Sequence, residues 1–416
     1  MVKISNYTFV DLFAGCGGLS LGLERAGFTP LFVSELNQDA METYLSNRDQ
    51  SHPWLREKYN NNDVTELTKK NGLLGGLKSE FKQFFGVSDV DLVVGGPPCQ
   101  GFSGIGLRRS YSVDKAMLPS NHLYKHYAKV VSVIRPRIFL FENVRGLLNA
   151  KWNNENGVNG EIWNDVLTTL QSIPDYTVNW QLIYAKDYGV PQNRPRVLVV
   201  GIRNDLGVRE DSDRVAKGFL PETVGQPPSI KQLFSDLVDL EYLKGGQTLV
   251  YPSAATNRWQ RHLREDPGSG NVMGKGSVLT EHVYSKHSPS VVNKFKHMLK
   301  NKGAIATSMQ TKKFAQRLLP AEWGERGPTI TATSLPDDYV HYCQPRSLTV
   351  REWARLQMFP DWYQFSGRRT TGGIRRAGNP MEGNFDRELP KYTQIGNAVP
   401  VALAEEIGKH FIKMIG

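Results

Sequence analysis

Tyr7-Thr-Phe-Val-Asp11-Leu-Phe-Ala-Gly15-Cys16-Gly17-Gly18, running straight into Leu19-Ser-Leu-Gly-Leu-Glu-Arg-Ala26, is the stretch on which the fold turns. An apolar run of strand length ends near Phe13, clustered glycines turn the chain, and a helical pattern follows without a gap. Such a strand-turn-helix unit sets glycines at the C-terminal edge of a parallel strand, where backbone can approach a ligand closely. The spacing is neither G-x-G-x-x-G nor a phosphate loop ending in Lys-Ser/Thr, so it points to a nucleotide-like ligand without tightly held phosphates. Gly15, Gly17 and Gly18 are the candidate contacts; a simple tight turn is the alternative.

Outward from this unit, short β-rich runs alternate with helical stretches as far as Arg203. Tyr7–Phe13, Leu31–Ser34, Asp91–Gly95, Ile138–Phe141, Val178–Tyr184 and Val197–Ile202 read as buried strands, and Leu19–Ala26, Leu123–Ile134 and Ile162–Ile173 as helices. The rhythm predicts an α/β fold with a mostly parallel sheet covered on both faces. Beyond Arg203, Gly, Pro, Ser and Asn become frequent and Lys and Arg mix with Tyr and Trp, so a second, smaller domain is expected over 204–360. Its helix Ser347–Phe359 carries a capping-box spacing, Thr349 to Glu352. A Gly- and Arg-rich stretch with Arg368, Arg369, Arg375 and Arg376 makes 361–386 a hinge or insertion that either meets a polyanion or has no fixed structure. A last amphipathic helix, Val401–Ile415, returns within 387–416 to complete the 1–203 domain.

The bulk numbers agree with this division. A chain of 416 residues suits a large domain plus a smaller one. No apolar run is long enough to span a membrane, and Met1-Val-Lys-Ile lacks a secretory leader, so a cytoplasmic setting is expected. Three scattered cysteines, Cys16, Cys99 and Cys343, fit a reducing compartment rather than a disulfide framework. A formal charge of +10 favours a polyanionic partner.

Four further groups can carry chemistry. Glu35 ends the second strand, where one carboxylate can take both hydroxyls of a ribose, and Asp63 can accept from an adenine amino group. Gly95-Gly-Pro-Pro-Cys99-Gln-Gly-Phe-Ser103 holds a cysteine between a rigid Pro-Pro turn and a Gly-containing loop at the sheet edge, which suits a nucleophilic thiolate. Phe141-Glu142-Asn-Val144 places a carboxylate at a strand end, where partial desolvation can protonate it. Pro191-Gln-Asn-Arg194-Pro-Arg196 offers two guanidinium forks. His122 and His126 share a helix face at i, i+4, but without further ligands a structural role is expected, and no metal.

Read in order, these segments make the chain resemble the DNA cytosine-5 methyltransferase family. Phe9–Gly18 is similar to its cofactor loop, Gly96–Ser103 to its nucleophile loop, Glu142–Val144 to its cytosine-binding segment and Gln192–Arg196 to its arginine motif. Arg346–Pro360 and Gln394–Pro400 resemble its two closing motifs. The match omits roughly 204–321, where the family carries its variable target-recognition region.

The resemblance implies a Rossmann-like S-adenosylmethionine-dependent fold, with the cofactor near Phe13, Gly15, Cys16, Gly17, Gly18, Glu35, Leu36, Asp63, Val64, Pro98, Asn397 and Ala398. Leu36 departs from the aromatic often found there, which puts one wall of the adenine site in question. It further implies Cys99 as nucleophile, Glu142 on N3 and the exocyclic amine of a flipped cytosine, Arg194 near O2, and Arg196 in support. Ser103, Arg108 and Arg109 fall in the loop expected to close on DNA, and Arg258 is a candidate contact beside Asn257, Gln260, Arg261 and Arg264. Double-stranded DNA is the expected partner. A monomer is expected, bacterial and nucleoid-associated when on DNA, possessing or lacking a cognate restriction endonuclease. Alternatives are an RNA cytosine-5 methyltransferase and a catalytically silent DNA-binding relative; an exocyclic-amine enzyme would carry Asn/Asp-Pro-Pro-aromatic where Cys99 stands.

Overall fold

Strands β1 (Tyr7–Leu12), β2 (Phe28–Ser34), β3 (Asn60–Asn61), β4 (Leu92–Gly95), β5 (Ile138–Val144), β6 (Tyr176–Tyr184) and β7 (Pro195–Arg203) form one sheet in the order β3-β2-β1-β4-β5-β7-β6. This is seen in a computed structural model that describes residues 4–98, 119–152, 157–207, 217–310, 316–322, 328–331, 338–371 and 388–416. Every pairing is parallel except those of β7, which lies antiparallel between β5 and β6.

The near-continuous apolar strands make sense because both faces are covered. Along β5, Ile138 and Leu140 enter one core while Phe139 and Phe141 enter the other, as a period of two requires. The first core is closed by helices α1 (Gly18–Ala26) and α8 (Val401–Ile415), the second by α2 (Leu123–Ile134) and α3 (Glu161–Gln171). From β1 the chain builds outward through β2 and β3, then crosses back to add β4 and β5 on the other side, so the strand order reverses between β1 and β4. Ligand crevices of open parallel sheets form at the carboxyl ends of such a pair. Here Leu12 and Gly95 sit opposite each other at that point.

The first core does not stop at the sheet. It continues through Leu233, Phe234, Leu263, Trp353, Phe359 and Tyr363 of the region after Arg203. This region holds the short helices α4 (Arg258–Leu263), α5 (Pro289–Lys300) and α6 (Val350–Leu356), the last preceding α7 (Lys391–Asn397), and a two-stranded piece formed by β8 (Arg317–Leu318) and β9 (Tyr339–Val340). The Thr349–Glu352 capping box forms in both directions, 3.2 Å to the Glu352 N–H and 2.9 Å from the Thr349 N–H.

Paired charges lie at the centre of the region. Arg355 reaches Asp236 at 2.6 Å and Asp361 at 2.5 Å, all three fully buried. Arg264 shares Asp236 at 3.2 Å and lies 3.7 Å over the Tyr251 ring. Burial would raise the Asp361 carboxyl, but Arg355 outweighs it and holds that carboxyl below its ordinary range. Removing one member of such a network leaves an uncompensated buried charge. Two of the five candidate DNA contacts are turned inward: Arg264 pairs with Asp236, and Gln260 is buried with its amide on the Gln232 carbonyl and Ser235 hydroxyl. Both side chains are fully buried, away from any base edge.

Candidate active site

The loop after β1 is built around left-handed backbone: Phe13, Gly15 and Gly17 have φ of 60°, 56° and 83°. At Gly17 a side chain is also excluded by space, since a Cβ would lie 2.8 Å from the Tyr363 hydroxyl and 2.9 Å from Arg48 Nη1. Behind the loop, Tyr363 donates to the Cys16 carbonyl at 2.6 Å, and Arg48 donates to the Tyr363 hydroxyl at 3.1 Å. These two supports were not read from the sequence, because Tyr363 stands far along the chain from the loop it holds.

Glu35 links the ends of β1 and β2. Its two carboxylate oxygens accept the N–H groups of Gly15 at 2.9 Å and Asn37 at 2.8 Å. Burial raises its carboxyl, and these N–H donors oppose the rise. A carboxylate has about four acceptor sites, so two bonds leave capacity for a diol. Beside it Leu36 is 71% exposed, an apolar side chain presented to solvent at the crevice edge. Asp63 caps the turn Val64–Leu67 through Oδ1, accepting the Thr65 N–H and hydroxyl, both at 2.8 Å. Val64 itself is buried. The set fits an adenosyl ligand: a positioned carboxylate for a ribose, an apolar surface for a ring, and no phosphate cradle.

Closing segments complete the crevice from the far end of the chain. A Cβ on Gly18 would lie 2.4 Å from the Val399 carbonyl, so Asn397–Pro400 presses directly on the start of α1. Cys16 is fully buried with its thiol on the Gln394 carbonyl at 3.4 Å, and burial pushes that thiol up to about 12. Cys16 is thus packing for the loop, not a thiolate.

On the other side of the switch point, Gly96 passes so close to Glu142 that a Cβ would lie 2.8 Å from Oε2. Asn143 donates to the Pro97 carbonyl at 3.0 Å, tying that segment to the end of β5, and Pro98 is exposed. Cys99, Ser103, Arg108 and Arg109 lie outside the described residues, as do Arg375 and Arg376.

The two arginines point to different places. Arg196, on β7 beside β5, makes an ion pair with Glu142, the two side chains 8% and 12% exposed. Arg194 instead points into the protein, donating to the carbonyls of Ile330, of Gly396 at 2.7 Å and of Ala398 at 3.1 Å. It clasps the closing motif to the segment 328–331, which is further held by Thr329 Oγ1 on the Asn193 carbonyl at 2.7 Å and by the Ile330 N–H on Gln192 Oε1 at 3.1 Å. Burial and the neighbouring charge of Arg196 both pull the Arg194 guanidinium well below its ordinary range.

Elsewhere, Arg258 is exposed and stacks 4.5 Å over Trp259 on α4. Arg261 is exposed on the same helix, which Asn257 caps through bonds of 3.0 and 3.2 Å to Trp259 and Gln260. Adjacent His262 meets Arg25, at the end of α1 opposite Gly17, at 3.0 Å. His122 stacks on Trp152 with centroids 5.1 Å apart, and His126 pairs with Thr68. Among the described residues no group of three or more His, Cys, Asp or Glu could hold a metal, and no helix is long and apolar enough to cross a membrane.

With this geometry in place, the family model for the C-5 cytosine-specific DNA methylases matches residues 7–413. The chain belongs to that family. Among curated relatives, the Type II methyltransferase M.DdeI of Desulfomicrobium norvegicum is 32% identical, covering 96% of this chain and 87% of its own. Type II methyltransferase M.XorII of Xanthomonas oryzae is 28% identical over 98% of this chain and 84% of its own. A prophage-encoded DNA modification methyltransferase of E. coli superposes with a TM-score of 0.66 at 25% identity, covering 98% of this chain and 99% of that one. The methylase is therefore an S-adenosylmethionine-dependent cytosine-5 enzyme acting on DNA.

Proposed function

We propose that this methylase flips a cytosine out of a specific duplex sequence, adds Cys99 to C6, and methylates C5, protecting its host's DNA from a restriction endonuclease. The observation that carries the reading is the Glu142–Arg196 pair at the carboxyl end of β5, next to the loop that leads into Cys99. A base stacked in a duplex cannot reach such a site, so it must leave the stack at a cost of a few kcal/mol. Thiolate attack on C6 pushes electrons onto the ring. Glu142 answers by delivering a proton toward N3, and Arg196 stays beside it to hold the carboxylate and to face O2. S-Adenosylmethionine, when bound, supplies the electrophilic methyl group. Loss of the C5 proton to a water and breakage of the sulfur–C6 bond then re-form the C5–C6 double bond, and the N3 proton returns to Glu142. The Type II names of the relatives support the protective role. Bisulfite sequencing of DNA from cells expressing the chain tests the whole reading: one sequence should become resistant to conversion, and uniform conversion would defeat it.

Glu35 is the residue on which cofactor affinity should depend. Replacing it with alanine removes both the anchor of Gly15 and the acceptor for the ribose, a loss of about 1.5–3 kcal/mol per charge-assisted contact. The dissociation constant for S-adenosylmethionine, measured by calorimetry on folded Glu35→Ala, should rise at least about tenfold. An unchanged constant would remove Glu35 from the site.

A further inference from the structure

Between Glu281 and Glu322 the sequence contains no Asp or Glu, although 41 acidic residues in 416 would place about four in a stretch of that length. The same stretch is rich in cations, and the structure shows where they stand. On α5, Phe295 and Met298 are buried against Val340, with Leu318 packed on the same cluster. The opposite face, Asn293, Lys296 and Lys300 at helical spacing, is exposed, and Lys302 follows just past its end. Lys286 before the helix and Arg317 on β8 are exposed as well.

None of these five cations forms an ion pair with a carboxylate among the described residues. Arg56, Arg137 and Arg203 elsewhere on the surface all do. Cations in the last turn of a helix are favoured by its dipole, which accounts for Lys300. It does not account for Lys286, Lys302 or Arg317, nor for the missing acids. A one-signed surface pays self-repulsion unless a polyanion covers it.

A chain of contacts ties this surface to the strand of the candidate active site. Arg317 lies 4.6 Å over the Tyr339 ring, the Tyr339 hydroxyl accepts the Thr329 N–H at 3.1 Å, and Thr329 holds the Asn193 carbonyl three residues before Arg196. The basic face is thus mounted, through β8, β9 and the segment 328–331, on the strand that carries the Glu142 partner. We infer that Lys286, Lys296, Lys300, Lys302 and Arg317 form a sequence-independent clamp for the phosphate backbone of duplex DNA flanking the target site. The inference rests on the proposed duplex substrate and adds the surface that holds it. Lysine on a flexible stem acts as a point charge for phosphate and carries no base code.

The test is the salt dependence of binding. For B-DNA each phosphate contact contributes about 0.9 to the slope of log K against log salt. The triple variant Lys296→Ala, Lys300→Ala, Lys302→Ala should therefore lower the slope measured on a target duplex by about 2.7, and weaken binding at least about tenfold at 0.1 M salt. A control removing three exposed lysines of the sheet domain, Lys70→Ala, Lys82→Ala and Lys413→Ala, should leave the slope within about 0.5 of wild type. Should the triple variant unfold, Lys296→Glu and Lys300→Glu singly should each lower the slope by about 0.9 or more. An unchanged slope in folded variants, or an equal drop in the control, overturns the clamp. A wild-type protein that methylates no duplex defeats the proposed function instead, so the two failures are distinguishable.

Discussion

Arg196→Ala should lower kcat by about 10²–10³-fold with the protein still folded, the loss typical of removing one group that meets charge developing in a transition state. The reason lies in its partner. Glu142 is only 12% exposed, and Arg196 is the cation placed on it. Without that guanidinium the carboxyl group loses its fixed direction, so the proton at N3 is no longer delivered from a defined place. Arg194→Ala should behave differently. Its bonds run to the carbonyls of Ile330, Gly396 and Ala398, so its removal unpins the closing motif from the 328–331 segment and leaves three buried acceptors short. The expected cost is about 3–5 kcal/mol of stability, seen as a fall of many degrees in Tm. Steady-state kinetics and thermal melts on the two variants separate the roles. An Arg196→Ala enzyme with wild-type kcat, or an Arg194→Ala protein with wild-type Tm, would refute the assignment.

Two arginines two residues apart look interchangeable in a string. Which one reaches Glu142 depends on the register of β7 against β5, where Arg196 pairs with Val144 and Leu198 with Glu142 itself, and on β7 entering the sheet antiparallel. No local pattern encodes a register between segments so far apart. Gln260 and Arg264 fail for the same kind of reason: Asp236, the charge that draws Arg264 inward, belongs to a different segment.

By contrast, features with local physical causes were legible. Helix Leu123–Ile134, helix Val401–Ile415 and the Thr349–Glu352 capping box fall where periodicity and capping put them, and the closing motif packs on the end of the β1 loop at Gly18. The two-residue β3 was not foreseen, since two asparagines give no strand signal and take their conformation from the edge of β2.

The largest effect is expected at Cys99. If its thiolate adds to C6 of the target base, a duplex carrying 5-fluorocytosine at that position should accept the methyl group and then stall. The step that follows requires the substituent at C5 to leave as a cation while the electrons of its bond re-form the C5–C6 double bond and expel sulfur. A proton can leave this way and fluorine cannot, so the enzyme remains bonded through sulfur to C6. Cys99→Ala should therefore abolish turnover and trapping together, while a small side chain at a loop edge contributes little to the fold. The other thiols cannot substitute. Cys16 is sealed beneath the Gln394 carbonyl with its thiol raised to about 12 by burial, and Cys343 stands past β9 with its sulfur 3.7 Å from His341 Nδ1. Cys16→Ala and Cys343→Ala should still trap. A denaturing gel that showed a band for the complex with Cys99→Ala, or none with the unaltered enzyme on a target proven by bisulfite sequencing, would end the covalent mechanism.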